Sequence, residues 1–331
     1  MRHGTLTENS ILKRILKITA PSTKNLGGRD VHLGIGDDAA LLRPSRGTEI
    51  ILTCDWFLEG THFLRGKHPP DSVGWKSLAR ALSDVAAMGG VPRYFLLSLA
   101  LPESHAGRWL DAFLSGLRRA SREFACTLVG GDTTRRREIL INVTIVGEIR
   151  NAHAVLRSGA RAGDILYVTG RLGEAELGLR LLKRGGTRQR SSNPLLRKHL
   201  YPQPRLAVGQ WLAEKRLATS MMDLSDGLSS DLPRLCAASG VGADVESEKL
   251  PVVQHSSAVR SLQLALHGGD DYELLFTVRP NRVNMLPKTL HGVPLTAIGR
   301  ITKQRELVLL RQKERERQHH PGGWDPFRNT R

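Results

Sequence analysis

Three absences narrow this sequence first: little cysteine, no long apolar run, and no aromatic residues set among its basic clusters. The three cysteines, Cys54, Cys126 and Cys236, are odd in number and far apart, and they form no CxxC pair. That excludes a disulfide framework and a cysteine-based zinc site, and makes a reducing cytoplasm the expected compartment. No stretch of eighteen apolar residues occurs, so no transmembrane helix is expected. Near the N-terminus Ile11, Leu12, Ile15 and Leu16 alternate with Lys and Arg, which reads as an amphipathic helix and not as a signal peptide.

Acidic charge is in deficit, with 49 Lys and Arg against 32 Asp and Glu and a formal net charge of +17. Such a field attracts nucleic acid or anionic substrates. The basic residues are dispersed, however, and their local concentrations at Arg135–Arg137, Lys183–Lys198 and Arg311–Arg317 lack interleaved aromatic rings for base stacking. Nucleic acid is therefore not the expected partner, whereas polyphosphate ligands suit the charge.

Familiar phosphate and hydrolase signatures are missing too. Gly60 to Lys67 approaches a P-loop, but five residues separate its glycines, and Pro69-Pro70 prevents the helix that must follow. There is no protein-kinase motif set and no GxSxG elbow.

What is present is an alternation of strands and helices in both halves, which predicts an α/β or α+β architecture in each. The 331 residues, 40% of them hydrophobic, suffice for two domains, expected at 1–150 and 151–331. Glu49–Thr53 is a β-prone run. Asp71–Met88 predicts a helix through Trp75, Leu78, Leu82 and Val85, stopped by Gly89, Gly90 and Pro92. Arg108–Phe124 repeats that pattern, and Thr127–Val129 and Ile139–Ile149 predict strands. Further on, Ile165–Thr169, Glu273–Val278, Leu295–Ile301 and Leu307–Leu310 read as strands. Glu174–Lys183, Arg205–Leu217 and Leu228–Ala238 read as helices, with a polar connection over Lys183–Asn193. The charged tail from Arg311 is expected to be mobile up to Trp324 and Phe327, whose rings should dock.

Aspartates recur beside glycines or at the ends of strands. They are Asp37-Asp38 after Gly36, Asp55 after Thr53-Cys54, Asp132 after Gly130-Gly131, Asp223 and Asp226 in one five-residue run, and Asp270-Asp271 after Gly268-Gly269. Each alone is ordinary turn chemistry, because Asp caps its own backbone and Gly accepts positive φ. Asp84 is different, since it interrupts a helix whose neighbours are apolar or small, where an uncompensated buried carboxylate is costly. Carboxylates with a Thr hydroxyl, and no matching His or Cys cluster, are hard oxygen ligands suited to Mg2+ or Mn2+.

In order, GIGDDAALL, TCDWFLEGTHF, SLARALSDVAAMGGVPRYFLLSLALP, LVGGDTTR, LRSGARAGDILYVTGRLGEAELGL, MMDLSDGLSSDL and GGDDYELLFTV resemble the thiamine-monophosphate kinases from about Asn9 to Phe327. The wider superfamily includes aminoimidazole ribonucleotide synthetase and selenophosphate synthetase. The resemblance implies a homodimer, with an N-terminal ATP/Mg-binding domain that pairs its sheet across the two-fold axis and a C-terminal α/β domain. It implies Mg2+ ligands at Asp38, Thr53, Cys54, Asp55, Asp84, Asp132, Asp223 and Asp226. It places ATP at Gly131, Asp132, Arg157 and Ser225, thiamine phosphate at His62, Asp270 and Trp324, and catalysis on Asp84, Asp132 and Asp223. Three positions depart from the family: Cys54 for Thr or Ser, Asp270 for Glu, and Trp324 for a frequent Tyr. Cys54 could serve through its carbonyl or through its side chain. The implied reaction is phosphorylation of thiamine monophosphate by ATP. A general base is not needed, because the acceptor phosphate is already an oxyanion at neutral pH. Another ATP-dependent synthetase of the superfamily, or a non-catalytic nucleic-acid-binding relative, are the alternatives.

Overall fold

The structure, a computed structural model, describes residues 8–19, 31–33, 35, 39–185, 193–254, 257–305, 308–312, 315–318 and 322–325. The chain divides into two compact units, one running to Leu82 and resuming over Val91–Asn151, the other made of Ser83–Gly90 and the chain from Ala152 onward.

The first unit holds α1 (Glu8–Thr19), the paired short strands β1 (Val31–Leu33) and β2 (Leu41–Leu42), β3 (Thr48–Leu58), most of α2 (Pro70–Met88), β4 (Val91–Leu101), α3 (Arg108–Glu123), β5 (Thr127–Arg135) and β6 (Leu140–Arg150). Its sheet runs β3-β6-β4-β5, antiparallel except for the parallel β4–β5 pair. Alternation sets the two faces, as the two-residue period of a strand requires. Ile51, Phe57, Leu97, Leu99, Ile141, Val143 and Ile145 are buried on one side, together with Leu78 of α2 and Leu110, Phe113 and Leu117 of α3. Ile50, Leu52, Cys54 and Trp56 stay exposed on the other. The two helices cross closely because they carry glycines at the contact: a Cβ at Gly116 would stand 1.8 Å from the Asp71 carbonyl oxygen.

The second unit contains β7 (Ile165–Thr169), α4 (Glu174–Arg184), α5 (Pro194–Leu200), α6 (Leu206–Glu214), β8 (Ala218–Leu224), α7 (Leu228–Ser239), β9 (Gly242–Glu246), α8 (Ala258–His267), β10 (Glu273–Val278), β11 (Thr289–Leu290), β12 (Val293–Thr302), β13 (Val308–Gln312) and β14 (Arg315–Gln318). The sheet order is β14-β13-β9-β12-β7-β10-β8, with β11 on β12. Every pair but β13–β9 is antiparallel. Leu228, Leu232, Leu235 and Cys236 of α7 pack with Ala265 and Leu266 of α8 against Leu166, Val168, Met222, Leu275 and Ile298 of the strands.

Some elements differ from the sequence reading. β5 runs through Gly130-Gly131, where a turn seemed natural, because the parallel β4 backbone lies so close that a Cβ at Gly131 would meet the Leu97 carbonyl oxygen at 1.9 Å. β8 carries no alternating pattern, since it is buried on both faces from Ser220. The tail is not irregular from Arg311, because β13 and β14 form a hairpin there.

Candidate active site

In the first unit, Thr53 and Asp55 lie two apart on β3 and face the half-buried side of the sheet. Asp55 Oδ2 accepts a hydrogen bond from Arg80 Nε of α2 at 3.2 Å. Cys54 points to the other, exposed face. Its thiol therefore cannot join an ion held by Asp55, and only its carbonyl remains as a ligand. Asp132 is further displaced. Its register row is Trp56, Asn142, Ser98, Asp132, whereas the row of Asp55 is Val143, Leu97, Gly131. The two carboxylates thus occupy opposite edges and opposite faces of the sheet, three strand spacings or roughly 14 Å apart.

Gly131, Asp132 and Thr133 line a cavity of about 790 Å³ whose other walls include Leu12, Ile15 and Leu16 of α1 and Leu96 of β4. Thr133 shares its register row with Leu99, on the face opposite to Asp132, and its Oγ1 is buried with no hydrogen-bond partner, an expensive state for a hydroxyl. His62 uses Nδ1 to accept the Leu58 backbone N–H at 3.0 Å, and its ring lies 5.9 Å from that of Phe57. That bond places the ring proton on Nε2.

In the second unit, Asp84 lies in the last turns of α2, half-buried between the buried residues Ser83 and Val85. Its helix segment packs tightly on α6, where a Cβ at Gly209 would meet the Ala86 carbonyl oxygen at 2.0 Å. Asp223, the penultimate residue of β8, is 4% exposed. The loop after it is held by Asp231, whose Oδ2 accepts the N–H groups of Ser225 and Asp226 at 3.1 and 3.0 Å. Burial and the charge of Asp226 push the Asp231 carboxyl up to about 7. Asp226 itself is paired with Arg234. Arg157 is exposed, and its carbonyl accepts the Ser239 hydroxyl at 2.8 Å.

The Gly268–Glu273 loop packs backbone to backbone on that segment: Asp270 N–H donates to the Ser225 carbonyl at 2.8 Å and Tyr272 N–H to the Leu224 carbonyl at 2.9 Å. Asp270 has φ 67° and Tyr272 φ 51°. Asp is among the non-glycine residues most tolerant of that region, more so than the Glu usual in the family. The Tyr272 hydroxyl donates to Asp270 Oδ1 at 2.7 Å. Trp324 donates its N–H to the Asp226 carbonyl at 3.0 Å, while its side chain is 39% exposed. The main chain of Trp324 is therefore anchored on the Asp226 loop, with its ring partly exposed. Phe327 and Asp38 lie outside the described residues.

Sequence reasoning missed the buried ionic cluster beneath this loop. Glu273, fully buried, accepts from Thr169 Oγ1 and Lys198 Nζ at 2.6 Å and from both Nε and Nη2 of Arg205. Burial opposes ionisation, but the two cations hold its carboxyl down at about 2. Next to it Asp271 accepts the N–H groups of Gly173 and Ala175 at the start of α4, and burial pushes it up to about 7. His199 Nδ1 stands 4.0 Å from Asp270 Oδ2. Lys198, His199 and Arg205 fall outside every acidic motif; their only sequence signal is three bases bracketing Pro202 and Pro204.

Among the described residues, no three His, Cys, Asp or Glu side chains converge on one metal position. A dedicated protein cage is thereby excluded among them. Mg2+, however, commonly binds one or two carboxylates and completes its shell with phosphate oxygens and water. Oxygen donors arranged in ones and twos, at Thr53 with Asp55, at Asp132 and at Asp223 with Asp226, fit an ion of that kind.

Residues 36–149 match the family model "AIR synthase related protein, N-terminal domain", and 161–311 match "AIR synthase related protein, C-terminal domain". The chain belongs to the AIR synthase related family, in its two-domain form. Within that family its similarity is to thiamine-monophosphate kinases. The enzyme of that name from Buchnera aphidicola subsp. Acyrthosiphon pisum is 38% identical over 277 residues, covering 81% of this chain and 84% of its own length. A crystal structure of thiamine-monophosphate kinase from Stenotrophomonas maltophilia K279a is 36% identical with a TM-score of 0.79, covering 92% of this chain and 96% of that one. A structure described as "AaThiL complexed with AMPPCP and TMP" is 32% identical with a TM-score of 0.71, covering 96% and 99%.

Proposed function

We propose that this chain transfers the γ-phosphoryl group of ATP to the phosphate of thiamine monophosphate, releasing ADP and thiamine diphosphate. The observation that carries the reading is the 32%-identical relative, complexed with AMPPCP and TMP, which aligns over 96% of this chain.

The acceptor is a phosphate monoester with a second pKa of about 6, so near neutral pH its oxyanion is already the nucleophile. One of its oxygens forms the new O–P bond to the γ-phosphorus as the bond to the ADP oxygen breaks, and no proton need move. The task left to the protein is to bring two polyanions into line. Bound Mg2+, as several ions, would supply the charge neutralisation. We assign Asp38, Thr53, Asp55, Asp84, Asp132, Asp223 and Asp226 to its retention, with Cys54 acting through its carbonyl. Asp84, Asp132 and Asp223 are assigned to the transferring group. Gly131, Asp132, Arg157 and Ser225 orient ATP, Gly131 and Asp132 from the wall of the cavity beside α1. His62, Asp270 and Trp324 take the acceptor, with Trp324 stacking on its aromatic ring. Residues 1–150 are then the ATP/Mg-binding and dimerisation domain, and 151–331 the C-terminal α/β domain.

A homodimer is part of the proposal. The exposed face of β3 carries Leu52 at 69%, Trp56 at 55% and Ile50 at 43% exposure, an apolar patch of the kind that marks an interface. No helix among the described residues is long and apolar enough to cross a membrane, and we place the protein in the cytoplasm. The test is formation of thiamine diphosphate from thiamine monophosphate, ATP and Mg2+, with metal-free and acceptor-free controls.

A further inference from the structure

Three glycine-bearing segments meet at one corner of the second unit. They are the Ser225–Gly227 loop entering α7, the Gly268–Gly269 turn leaving α8, and Gly322–Trp324 from the C-terminal tail. The tail is attached by its main chain. Gly322 N–H donates to Ser229 Oγ at 3.3 Å, Gly323 N–H to Ser230 Oγ at 3.1 Å, and Trp324 N–H to the Asp226 carbonyl at 3.0 Å. Ser229 is fixed in turn by His267 Nδ1 at 2.9 Å. Three successive backbone donors thus find acceptors on the loop and first turn of α7.

The approach leaves no room for a side chain. A Cβ at Gly323 would stand 2.1 Å from the Asp226 carbonyl oxygen and 2.6 Å from Ser230 Oγ, and one at Gly322 would stand 2.8 Å from the His267 ring. The Asp226 carbonyl is backbone and cannot swing aside. The Trp324 side chain that this main chain carries is 39% exposed.

We infer that Gly322, Gly323, Ser229 and Ser230 form a clasp that positions Trp324. In this arrangement the ring assigned to the acceptor and the Asp226 loop are one rigid element, and Gly323 and Ser230 are positioning residues for acceptor binding. The inference rests on the assignment of Trp324 to the thiamine side. It implies that the tail contributes to acceptor affinity through geometry fixed before substrate arrives, which lowers the ordering cost of binding.

Gly323→Ala should raise KM for thiamine monophosphate roughly tenfold, a factor worth about 1.4 kcal/mol, while KM for ATP stays within about twofold and the melting temperature is unchanged. Ser230→Ala should give a smaller shift of the same kind. In a Trp324→Ala background Gly323→Ala should add nothing, because the ring it positions is gone. Amide hydrogen exchange over residues 322–325, read without substrate, should be protected in the wild type and lose that protection in Gly323→Ala. Equal rises in both KM values, additivity with Trp324→Ala, or exchange that is fast in the wild type would each overturn the clasp. If Trp324→Ala leaves acceptor KM untouched while exchange protection is present, the assignment of Trp324 fails and takes the positioning role with it, though the clasp itself stands.

Discussion

Asp55 and Asp132 stand in neighbouring register rows of one four-stranded sheet, at opposite edges and on opposite faces. Roughly 14 Å of sheet separates them, too far to share one ion whose oxygen ligands sit at about 2.1 Å. If one site needs both, the second must come from another copy of the chain. Asp55→Asn and Asp132→Asn should then each be inactive alone but regain about a quarter of wild-type activity when mixed and allowed to exchange subunits, since half the dimers are mixed and each carries one intact site. No recovery after verified exchange would place both carboxylates in the same chain's site.

The apolar face behind that proposal gives a separate prediction. Leu52→Glu should convert the dimer to a monomer by size-exclusion with light scattering, leaving the far-UV circular dichroism intact. A charge buried at the middle of such an interface is strongly unfavourable. A dimer that tolerates Leu52→Glu would mean the partner sits elsewhere.

Asp84→Asn should lower turnover by on the order of a hundredfold, the scale for losing one charge-stabilising group, with a melting temperature within about 2 °C of wild type. The position is half-buried on a helix whose packing runs through Ala86 and Gly209, so the substitution removes charge without removing core. Near-wild-type rates at saturating Mg2+ would take Asp84 out of the mechanism.

How much of this was legible in the sequence depended on which residues carried a local signal. The strand Ile165–Thr169 and the helix ending at Met88 announced themselves by composition and by glycine stops. β8, which carries Asp223, did not, because its buried stretch offers no alternation to read. The aspartates could be found as motifs, yet their faces could not. That Cys54 points away from Thr53 and Asp55 follows from the register of β3, whose outer face is as apolar as its inner one, so pattern alone did not say which side was exposed. The Glu273 cluster was invisible for a different reason. Its partners Lys198 and Arg205 lie 75 and 68 residues away along the chain and join it only when α5 and α6 fold.

That cluster gives the stability prediction. Glu273→Gln would leave two partly buried cations facing each other and should cost about 3–5 kcal/mol, or about 10 °C in melting temperature for a unit of this size. The folded carboxyl is held near 2, below its usual 4.5. Its contribution is therefore complete above the unfolded value and drains away as the pH falls towards about 2. Comparing urea stability of wild type and variant between these limits should show the difference shrinking with acidification; a constant difference would mean the loss is one of packing alone.

For Cys54, the register predicts that Cys54→Ala leaves the Mg2+ concentration for half-maximal activity unchanged within about twofold, since a carbonyl ligand survives the substitution. A large rise would show that the thiol reaches the ion after all.

The most direct measurement of the central claim follows thiamine diphosphate by chromatography in a reaction of purified protein with thiamine monophosphate, ATP and Mg2+. The account predicts one thiamine diphosphate and one ADP formed per ATP consumed, and no product when chelator removes the metal. ATP consumption without thiamine diphosphate, or free phosphate in place of the transferred group, would contradict it.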